Sequence, residues 1–395
     1  MRDFNFYAPT QVVFGRESEE RLPALVRHYG GTKVLVHYGG GSAERSGLLG
    51  KVRRLLSDDG IAFVELGGVV PNPLLSKVRE GIDLCRREGV DFILAVGGGS
   101  VIDSSKAIAF GTVYDGDVWD FWEGTTTPER CLPVGTILTI PAAGSEMSNS
   151  CVITHDETLI KRGVGTDLFR CRFAIMNPER TFTLPPYQTA AGVTDIMMHT
   201  MERYFNPEQD MTITDNLAEA LLRTVKAAAV EVLKNPDDYR QRAQIMWAGS
   251  LAHNDLMECG TMKDFATHRL EHELSSMFGV THGAGLAALW PSWARYVMRD
   301  SRNVPRFVRF AVNVMGLSDD PADPRGTAEL GVVAMEQFYR QIGMPTNIRE
   351  LIGREVTDEE IAVMVDKASR GGTITLGSLM VLEVTDMKAI YELAR

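Results

Sequence analysis

The repeated order of strand, helix and strand in the first half of the sequence constrains the fold most. Runs rich in β-branched residues at Lys33–Tyr38, Phe92–Val96 and Thr136–Ile140 have the composition of buried strands. The segment Leu74–Arg87, between the first two runs, has helical periodicity. Because parallel strands need long connections that usually contain a helix, this order predicts a parallel sheet with right-handed crossovers.

The pattern changes near Leu184-Pro185-Pro186. Beyond this point, segments rich in Ala, Leu and Met recur at helical spacing, as in Asn216–Leu233 and Arg240–Leu256. A chain of 395 residues also exceeds the size at which a single hydrophobic core usually stops growing. We therefore predict an α/β domain with a parallel sheet over residues 1–184 and an all-α domain over residues 185–395.

The composition excludes several classes of partner. A formal net charge of −11 argues against nucleic acids and anionic membranes, because both require a basic surface. No apolar run is long enough to cross a bilayer, and the first residues lack the pattern of a secretory signal. The five cysteines are far apart and form no C-x-x-C pair, as is typical of reduced thiols. These features predict a cytoplasmic protein.

Two predicted strands run directly into glycine clusters, Gly39-Gly40-Gly41-Ser42 and Gly97-Gly98-Gly99-Ser100. Glycines at this point let backbone N–H groups approach a phosphate, and a following helix adds its positive N-terminal dipole. The second cluster opens a predicted helix, Val101–Ala109. The spacing of Ser100 and Asp103 also fits a helix capping box, which would explain those two residues without a ligand. Three consecutive glycines favour a phosphate-binding turn, although neither cluster matches G-x-G-x-x-G.

The first glycine cluster also bears on the choice of nicotinamide cofactor. Sites for NAD commonly place an acid near the 2′-hydroxyl of the adenosine ribose, and such a charge repels a 2′-phosphate. After Tyr38 no acid occurs until Glu44. The backbone amides and the Ser42 hydroxyl would suit a 2′-phosphate, so the sequence favours NADP(H) over NAD(H).

Histidines in the second half have the spacing of a metal site. Asp195 and His199 are four residues apart in a predicted helix over 189–204, as are His268 and His272 in another over 265–277. His282 follows in a glycine-flanked turn. One carboxylate with two or three imidazoles suits Zn²⁺, Fe²⁺ or Mn²⁺.

The alternative is that these pairs are ordinary helix-surface interactions. Spacing alone does not decide whether His268 or His272 is the ligand. The remaining histidines are interpreted as ordinary hydrogen-bonding residues: His28, His37, His155 and His253.

Five motifs resemble those of the iron-containing (group III) alcohol dehydrogenases, particularly the branch of NADPH-dependent butanol dehydrogenases and broad-specificity aldehyde reductases. The resemblance runs through nearly the whole chain. The motifs are Val96-Gly97-Gly98-Gly99-Ser100-Val101-Ile102-Asp103-x-x-Lys106, Leu138-Thr139-Ile140-Pro141-Ala142-Ala143-Gly144-Ser145-Glu146-Met147, Ala191-Gly192-Val193-Thr194-Asp195-Ile196-x-x-His199, His268-Arg269-Leu270-Glu271-His272-Glu273-Leu274 and Thr281-His282-Gly283-Ala284-Gly285-Leu286.

The resemblance implies a dehydroquinate synthase-like architecture, in which a dinucleotide-binding domain precedes a helical metal domain and the active site lies in the cleft between them. It also implies a homodimer paired through an N-terminal strand, Phe4–Phe14. The implied metal ligands are Asp195, His199, His268 and His282, with His272 close to the nicotinamide. The implied cofactor contacts are Gly39, Gly40, Ser42, Gly97, Gly98, Gly99, Ser100, Asp103, Thr139, Ser145 and Lys161. Two positions depart from the common family pattern. This chain has Ala143 where many members have Thr, and Asn177 where Asp is common.

The expected function is metal-dependent hydride transfer between NADP(H) and short-to-medium chain aldehydes or primary alcohols, with Fe²⁺ or Zn²⁺ as the metal and His272 relaying a proton. A sugar-phosphate cyclase of the same superfamily is one alternative. It would need several basic residues converging on a phosphate, whereas His268–Leu286 offers only Arg269. A non-catalytic metal-binding scaffold is the other alternative.

Overall fold

The computed structural model describes residues 1–208 and 211–395 and contains two compact units. The α/β unit comprises residues 7–183 and 237–254, and the helical unit comprises residues 1–6, 184–236 and 255–395. The junction between residues 183 and 184 lies beside the boundary expected at residue 184. The grouping differs from the predicted one in placing residues 237–254 with the α/β unit and residues 1–6 with the helical unit.

The α/β unit contains a six-stranded parallel sheet with the order β1-β8-β5-β4-β2-β3 and a separate antiparallel hairpin of β6 and β7. The strands span Gln11–Phe14 (β1), Lys33–Gly39 (β2), Ala62–Val69 (β3), Phe92–Gly97 (β4), Val134–Leu138 (β5), Ser150–His155 (β6), Ile160–Gly165 (β7) and Phe173–Met176 (β8). The parallel sheet predicted from the sequence is therefore confirmed. The strand expected at 136–140 begins and ends two residues earlier.

The helices of this unit are Leu22–His28 (α1), Ser42–Arg45 (α2), Leu48–Asp58 (α3), Leu75–Glu88 (α4), Gly99–Thr112 (α5), Asp120–Glu123 (α6) and Tyr239–Ala252 (α9). Short 3₁₀ helices occur at Ser18–Arg21, Asp167–Phe169 and Pro178–Thr181. The sheet has apolar clusters on both faces, and every residue of β4 is buried, because helices cover a parallel sheet on both sides.

Strand order brings the two glycine clusters to one edge of the sheet. In the parallel register, Tyr38 is paired with Val96 and Gly97 with Leu138, so the clusters that follow β2 and β4 lie at neighbouring carboxyl ends. The chain passes from β2 outward to β3 and then returns to β4 on the other side of β2. Such a reversal creates a crevice outside the strand ends, where ligands of open α/β sheets bind.

The helices of the helical unit are Pro186–Tyr204 (α7), Thr212–Lys234 (α8), Ala266–Phe278 (α10), His282–Val297 (α11), Val304–Phe310 (α12), Pro324–Gln341 (α13), Ile348–Ile352 (α14), Asp358–Ala368 (α15) and Val384–Ala394 (α16). A 3₁₀ helix at Leu256–Glu258 and a π-helical turn at Ala311–Met315 complete it. No helix within the described residues has both the length and the apolar composition required to span a membrane.

The N-terminal strand is shorter than expected. Only Gln11–Phe14 forms a strand, and it is paired in parallel with β8 at the edge of the sheet. The preceding residues have no strand structure, and the side chains of Phe4, Phe6 and Tyr7 are exposed. Within the described residues of the single chain only four of the eleven expected residues form a strand, and pairing of residues 4–14 across a two-fold axis stays a prediction.

Candidate metal and cofactor sites

Three histidines converge on one carboxylate oxygen in the helical unit. The Nε2 atoms of His199, His268 and His282 lie 3.5, 3.5 and 3.7 Å from Oδ1 of Asp195. Asp195 and His199 lie one turn apart on α7, while His268 lies in the first turn of α10 and His282 begins α11. Three helices thus bring the imidazoles to one carboxylate, and ligand-capable atoms of Asp195, His268 and His282 lie within 4.8 Å of one another.

The donor set fits a divalent metal ion. Two ligands about 2.1 Å from one ion at a tetrahedral angle lie about 3.4 Å apart, close to the observed separations. Among the described residues, Oδ1 of Asp195 and Nε2 of His268 are buried without a hydrogen-bond partner. Buried polar atoms are rarely left in this state unless a ligand satisfies them. Three imidazole nitrogens and one carboxylate are appropriate for Zn²⁺, Fe²⁺ or Mn²⁺.

Glu202 orients the imidazole of His268. Its carboxylate accepts a hydrogen bond from Nδ1 of His268 and another, at 2.9 Å, from the backbone N–H of the same residue. This bond on Nδ1 leaves Nε2 facing Asp195. Burial lowers the pKa of His268, but the charges of Glu202 and Asp195 outweigh burial and raise that pKa to about 9.

Glu271 contacts His282 in the same way as Glu202 contacts His268. It accepts hydrogen bonds from Nδ1 of His282 and from the hydroxyl of Ser275. Gly285 provides the space, because a Cβ atom there would lie 2.6 Å from Oε1 of Glu271. The ring of His272 lies 5.8 Å from that of His282, and ligand-capable atoms of Glu271, His272 and His282 lie within 4.8 Å of one another.

The sequence prediction missed both glutamates. Glu202 continues the series of Asp195 and His199 on α7, because residues i, i+4 and i+7 share one helix face. This spacing could have identified it, whereas the contact between Glu271 and His282 depends on how α10 meets α11. Phe265 was also missed: it has the left-handed φ of 58° immediately before α10, and its ring stacks on His268 at 5.0 Å.

The histidines outside this cluster have ordinary partners. His37 is buried, with Nδ1 2.8 Å from the Leu66 carbonyl and Nε2 2.9 Å from the Ser104 hydroxyl, and burial lowers its pKa to about 4. Other contacts join His253 to the Ala143 carbonyl, His155 to the backbone N–H of Glu157, and His28 to the ring of Tyr29. The hydrogen bonds of His37, His155 and His253 agree with their interpretation as hydrogen-bonding residues, whereas the contact shown for His28 is between rings.

The turn between β4 and α5 requires glycine for packing. A Cβ atom at Gly97 would lie 2.5 Å from Val101, and one at Gly98 would lie 2.2 Å from Ile140. Gly98 is the N-cap of α5, so the N–H groups of Gly99 and Ser100 open the helix and have no acceptor within it. Thr139 lies beside the turn and donates its backbone N–H to the Gly97 carbonyl at 3.0 Å.

The capping-box explanation of Ser100 and Asp103 is wrong. Both residues lie inside α5, which has no side-chain cap. Asp103 instead accepts hydrogen bonds from the hydroxyl of Ser145 at 2.5 Å and from the backbone N–H of Val152 at 2.8 Å. The helix begins at Gly99, two residues before the start that a cap at Ser100 would require, so Asp103 lies within it and its side chain reaches the neighbouring loop.

Lys106 organises the loop that contains Ser145. Its ammonium group is fully buried and donates to the carbonyl oxygens of Ser145 and Ser150 at 2.8 Å and to the Ser145 hydroxyl at 3.0 Å. Lys161 on β7 is also buried, and its charge acts on Asp103, whose pKa is raised by burial and lowered by Lys106, Ser145 and Lys161. Ser145, Asp103 and Lys161, predicted as cofactor contacts, therefore lie in one network.

The glycine turn after β2 is less tightly packed than the turn after β4. A Cβ atom at Gly40 would meet no atom within 4 Å, whereas Gly41 has a φ of +117° and Nη1 of Arg45 lies 3.1 Å from the position of its Cβ. Ser42 begins α2 directly after Gly41. The nearest acid, Glu44, is bonded to Arg53 at 2.9 Å. Gly39 remains at the end of β2, paired with Val69 of β3.

Comparisons with known proteins agree with the sequence resemblance. Residues 9–178 match the family described as iron-containing alcohol dehydrogenase, and residues 189–394 match the C-terminal part of the Fe-containing alcohol dehydrogenase family. The chain is 39% identical over 393 residues to NADH-dependent butanol dehydrogenase A of Clostridium acetobutylicum, covering 99% of each chain. It is 34% identical over 400 residues to the NADPH-dependent aldehyde reductase YqhD of Escherichia coli, covering all of both chains.

Solved structures give the same result. The crystal structure of NADH-dependent butanol dehydrogenase A from Thermotoga maritima is similar to this chain with a TM-score of 0.95 and 36% identity, covering 100% of this chain and 99% of the other. The fold and the sequence thus agree along the whole chain. We conclude that the chain belongs to the iron-containing alcohol dehydrogenase family.

Proposed function

We propose that the protein is a divalent-metal-dependent and NADP(H)-dependent enzyme that interconverts short-to-medium chain aldehydes, such as butanal, and primary alcohols. The convergence of three Nε2 atoms on Oδ1 of Asp195 carries this proposal. A bound metal ion would supply a Lewis acid for the substrate oxygen, and the nicotinamide would supply or accept the hydride. Family membership supports this activity over the cyclase and scaffold alternatives.

The residues around the metal site have distinct roles in this proposal. Asp195, His199, His268 and His282 hold the ion, and the burial of the first three excludes water from most of its surroundings. His282, with a side chain that is 25% exposed, lies on the accessible side. His272 is adjacent to His282 on this side and would transfer the proton that the product oxygen needs during reduction.

The preference for NADP(H) is based on the turn after β2. The guanidinium of Arg45 lies beside Gly41, where it adds a positive charge to the backbone amides and the Ser42 hydroxyl. Glu44 is bonded to Arg53 and is less available for a ribose hydroxyl. The named relatives include both NADH-dependent and NADPH-dependent enzymes, so the choice between the cofactors depends on these residues. The pyrophosphate would bind at Gly97–Ser100, where α5 begins.

We further propose Fe²⁺ or Zn²⁺ as the metal and a cytoplasmic homodimer as the form of the enzyme. The five cysteines are free thiols, as expected in a reducing compartment. Phe4, Phe6 and Tyr7 are exposed before the edge strand β1, and a second copy could cover them. Sedimentation at micromolar concentration tests the assembly, and a monomer would contradict it.

The enzymatic proposal is tested by following NADPH oxidation with butanal. We expect steady turnover that stops when a chelator removes the metal and returns when Fe²⁺ or Zn²⁺ is added. Turnover that persists without metal would contradict the metal-dependent mechanism. Metal binding without any reduction of aldehydes would instead favour the scaffold alternative, and release of phosphate from a sugar phosphate would favour the cyclase.

A further inference from the structure

We propose that Glu202 and Glu271 are positioning residues that set the metal affinity of the site by fixing the imidazoles of His268 and His282. This inference is based on the proposed metal site and extends it to two residues that would not contact the ion. The hydrogen bonds on Nδ1 of both histidines carry the argument.

Each glutamate determines which nitrogen of its histidine can bind a metal. A carboxylate that accepts a proton from Nδ1 selects the tautomer with the lone pair on Nε2. In both cases this Nε2 faces Oδ1 of Asp195, at 3.5 Å for His268 and 3.7 Å for His282. The negative charge of the carboxylate also makes the lone pair of Nε2 more basic, and therefore a stronger ligand for a metal ion.

The two glutamates connect the helices that carry the ligands. Glu202 on α7 reaches His268 on α10, and Glu271 on α10 reaches His282 on α11. Both carboxylates are buried, at 1% and 0% exposure. Each also has a second hydrogen bond, from the backbone N–H of His268 to Glu202 and from the Ser275 hydroxyl to Glu271. The orientation of both imidazoles is therefore fixed by contacts within the protein.

The charges of the site support the same conclusion. Glu202, Glu271 and Asp195 place three buried carboxylates around one ion position. Within the described ranges, neither Asp195 nor Glu202 forms an ion pair with a lysine or arginine, and their ionic partners are histidines. Buried negative charge requires compensation, and a bound divalent cation would add to it.

The test compares Glu202→Gln and Glu271→Gln in the full-length protein. Glutamine keeps the size of the side chain and a hydrogen-bond acceptor but removes the charge. Zn²⁺ is titrated into metal-free protein in competition with a chelating indicator, so the measurement does not depend on catalysis. We expect Kd for Zn²⁺ to rise about 10- to 100-fold in each variant.

Glu219→Gln is the matched control. Glu219 is a buried glutamate of the same unit that is bonded to Tyr204 and Arg309 and contacts no histidine in the described structure. We expect it to leave the Zn²⁺ affinity unchanged even if stability decreases. The visible spectrum of bound Co²⁺ should change in the two positioning variants and remain as in wild type in Glu219→Gln.

A milder variant is included in case the glutamine variants do not fold. Ser275→Ala removes only the hydroxyl that holds Glu271 and should weaken Zn²⁺ binding by a smaller factor than Glu271→Gln. Wild-type affinity in folded Glu202→Gln and Glu271→Gln would overturn the positioning role and leave the proposed metal site intact. Failure of the wild-type protein to bind Zn²⁺, Fe²⁺ or Mn²⁺ would refute the proposed function itself.

Discussion

The Nε2 atom of His268 lies 3.5 Å from Oδ1 of Asp195, and the opposite nitrogen of the ring is bonded to Glu202. His268 is therefore held between two carboxylates inside the helical unit. This arrangement stabilises a proton on His268 in the metal-free protein, and a metal ion bound to Nε2 must displace that proton.

Metal binding should depend on pH through His268. Its pKa is raised from an ordinary value near 6.5 to about 9, so the protonated ring contributes stability to the metal-free fold below pH 6.5. That contribution is lost as pH rises through 9. Zn²⁺ affinity should therefore increase by about tenfold per pH unit up to pH 9 and then level off. Titration calorimetry in buffers of different ionisation enthalpy should show one proton released, and an affinity independent of pH would contradict this prediction.

Asp195→Ala should remove most of the metal binding. The substitution deletes the oxygen that three Nε2 atoms share, which is one of four proposed ligands. We expect Kd for Zn²⁺ to rise about 100-fold or more, since four ligands together contribute roughly 10 kcal/mol or more. Metal content after gel filtration, measured by atomic emission, checks this. Stoichiometric metal in the variant would exclude Asp195 as a ligand.

His272→Ala should separate proton transfer from metal binding. The ring of His272 lies 5.8 Å from that of His282, and His272 is not one of the four proposed ligands. We expect kcat for aldehyde reduction to decrease about 10²- to 10⁴-fold, with Zn²⁺ affinity unchanged and an altered pH profile. A variant with the full rate and the wild-type pH profile would show that His272 has no part in proton transfer.

Arg45→Ala should distinguish the two nicotinamide cofactors. The Arg45 guanidinium lies beside Gly41 and would pair with a 2′-phosphate, which NADH lacks. We expect KM for NADPH to increase about tenfold, as for the loss of one charge-assisted hydrogen bond, and KM for NADH to stay the same. Equal effects on both cofactors would indicate a structural role for Arg45.

Lys106→Met should lower the free energy of unfolding. The buried ammonium of Lys106 donates to oxygens of Ser145 and Ser150, and its removal takes a donor from each of these oxygens and a neighbouring positive charge from Asp103. We expect a loss of about 3–5 kcal/mol in denaturant unfolding, the cost of removing one member of a buried polar network. Ser57→Ala, on the exposed end of α3, is the control and should remain within about 0.5 kcal/mol of wild type.

The sequence alone determined the fold class and the principal candidates for the metal site. Strand and helix periodicity predicted the parallel sheet because the alternation depends on local spacing, as Lys33–Tyr38 and Phe92–Val96 illustrate. Asp195 and His199 could be paired because residues four apart share a helix face. The spacing of His268 and His272 left the choice of ligand open, and the family resemblance favoured His268.

Only the tertiary structure decided which side chains meet across elements. The bond between Glu271 and His282 depends on the packing of α10 against α11, and the return of Asp103 to Ser145 depends on where α5 begins. The position of α9 in the α/β unit likewise has no local signal. Sequence periodicity specifies which face of an element is apolar, whereas the partner of that face is selected by packing between distant segments. The orientation of the ligand histidines by Glu202 and Glu271 is therefore a property of the folded helical unit.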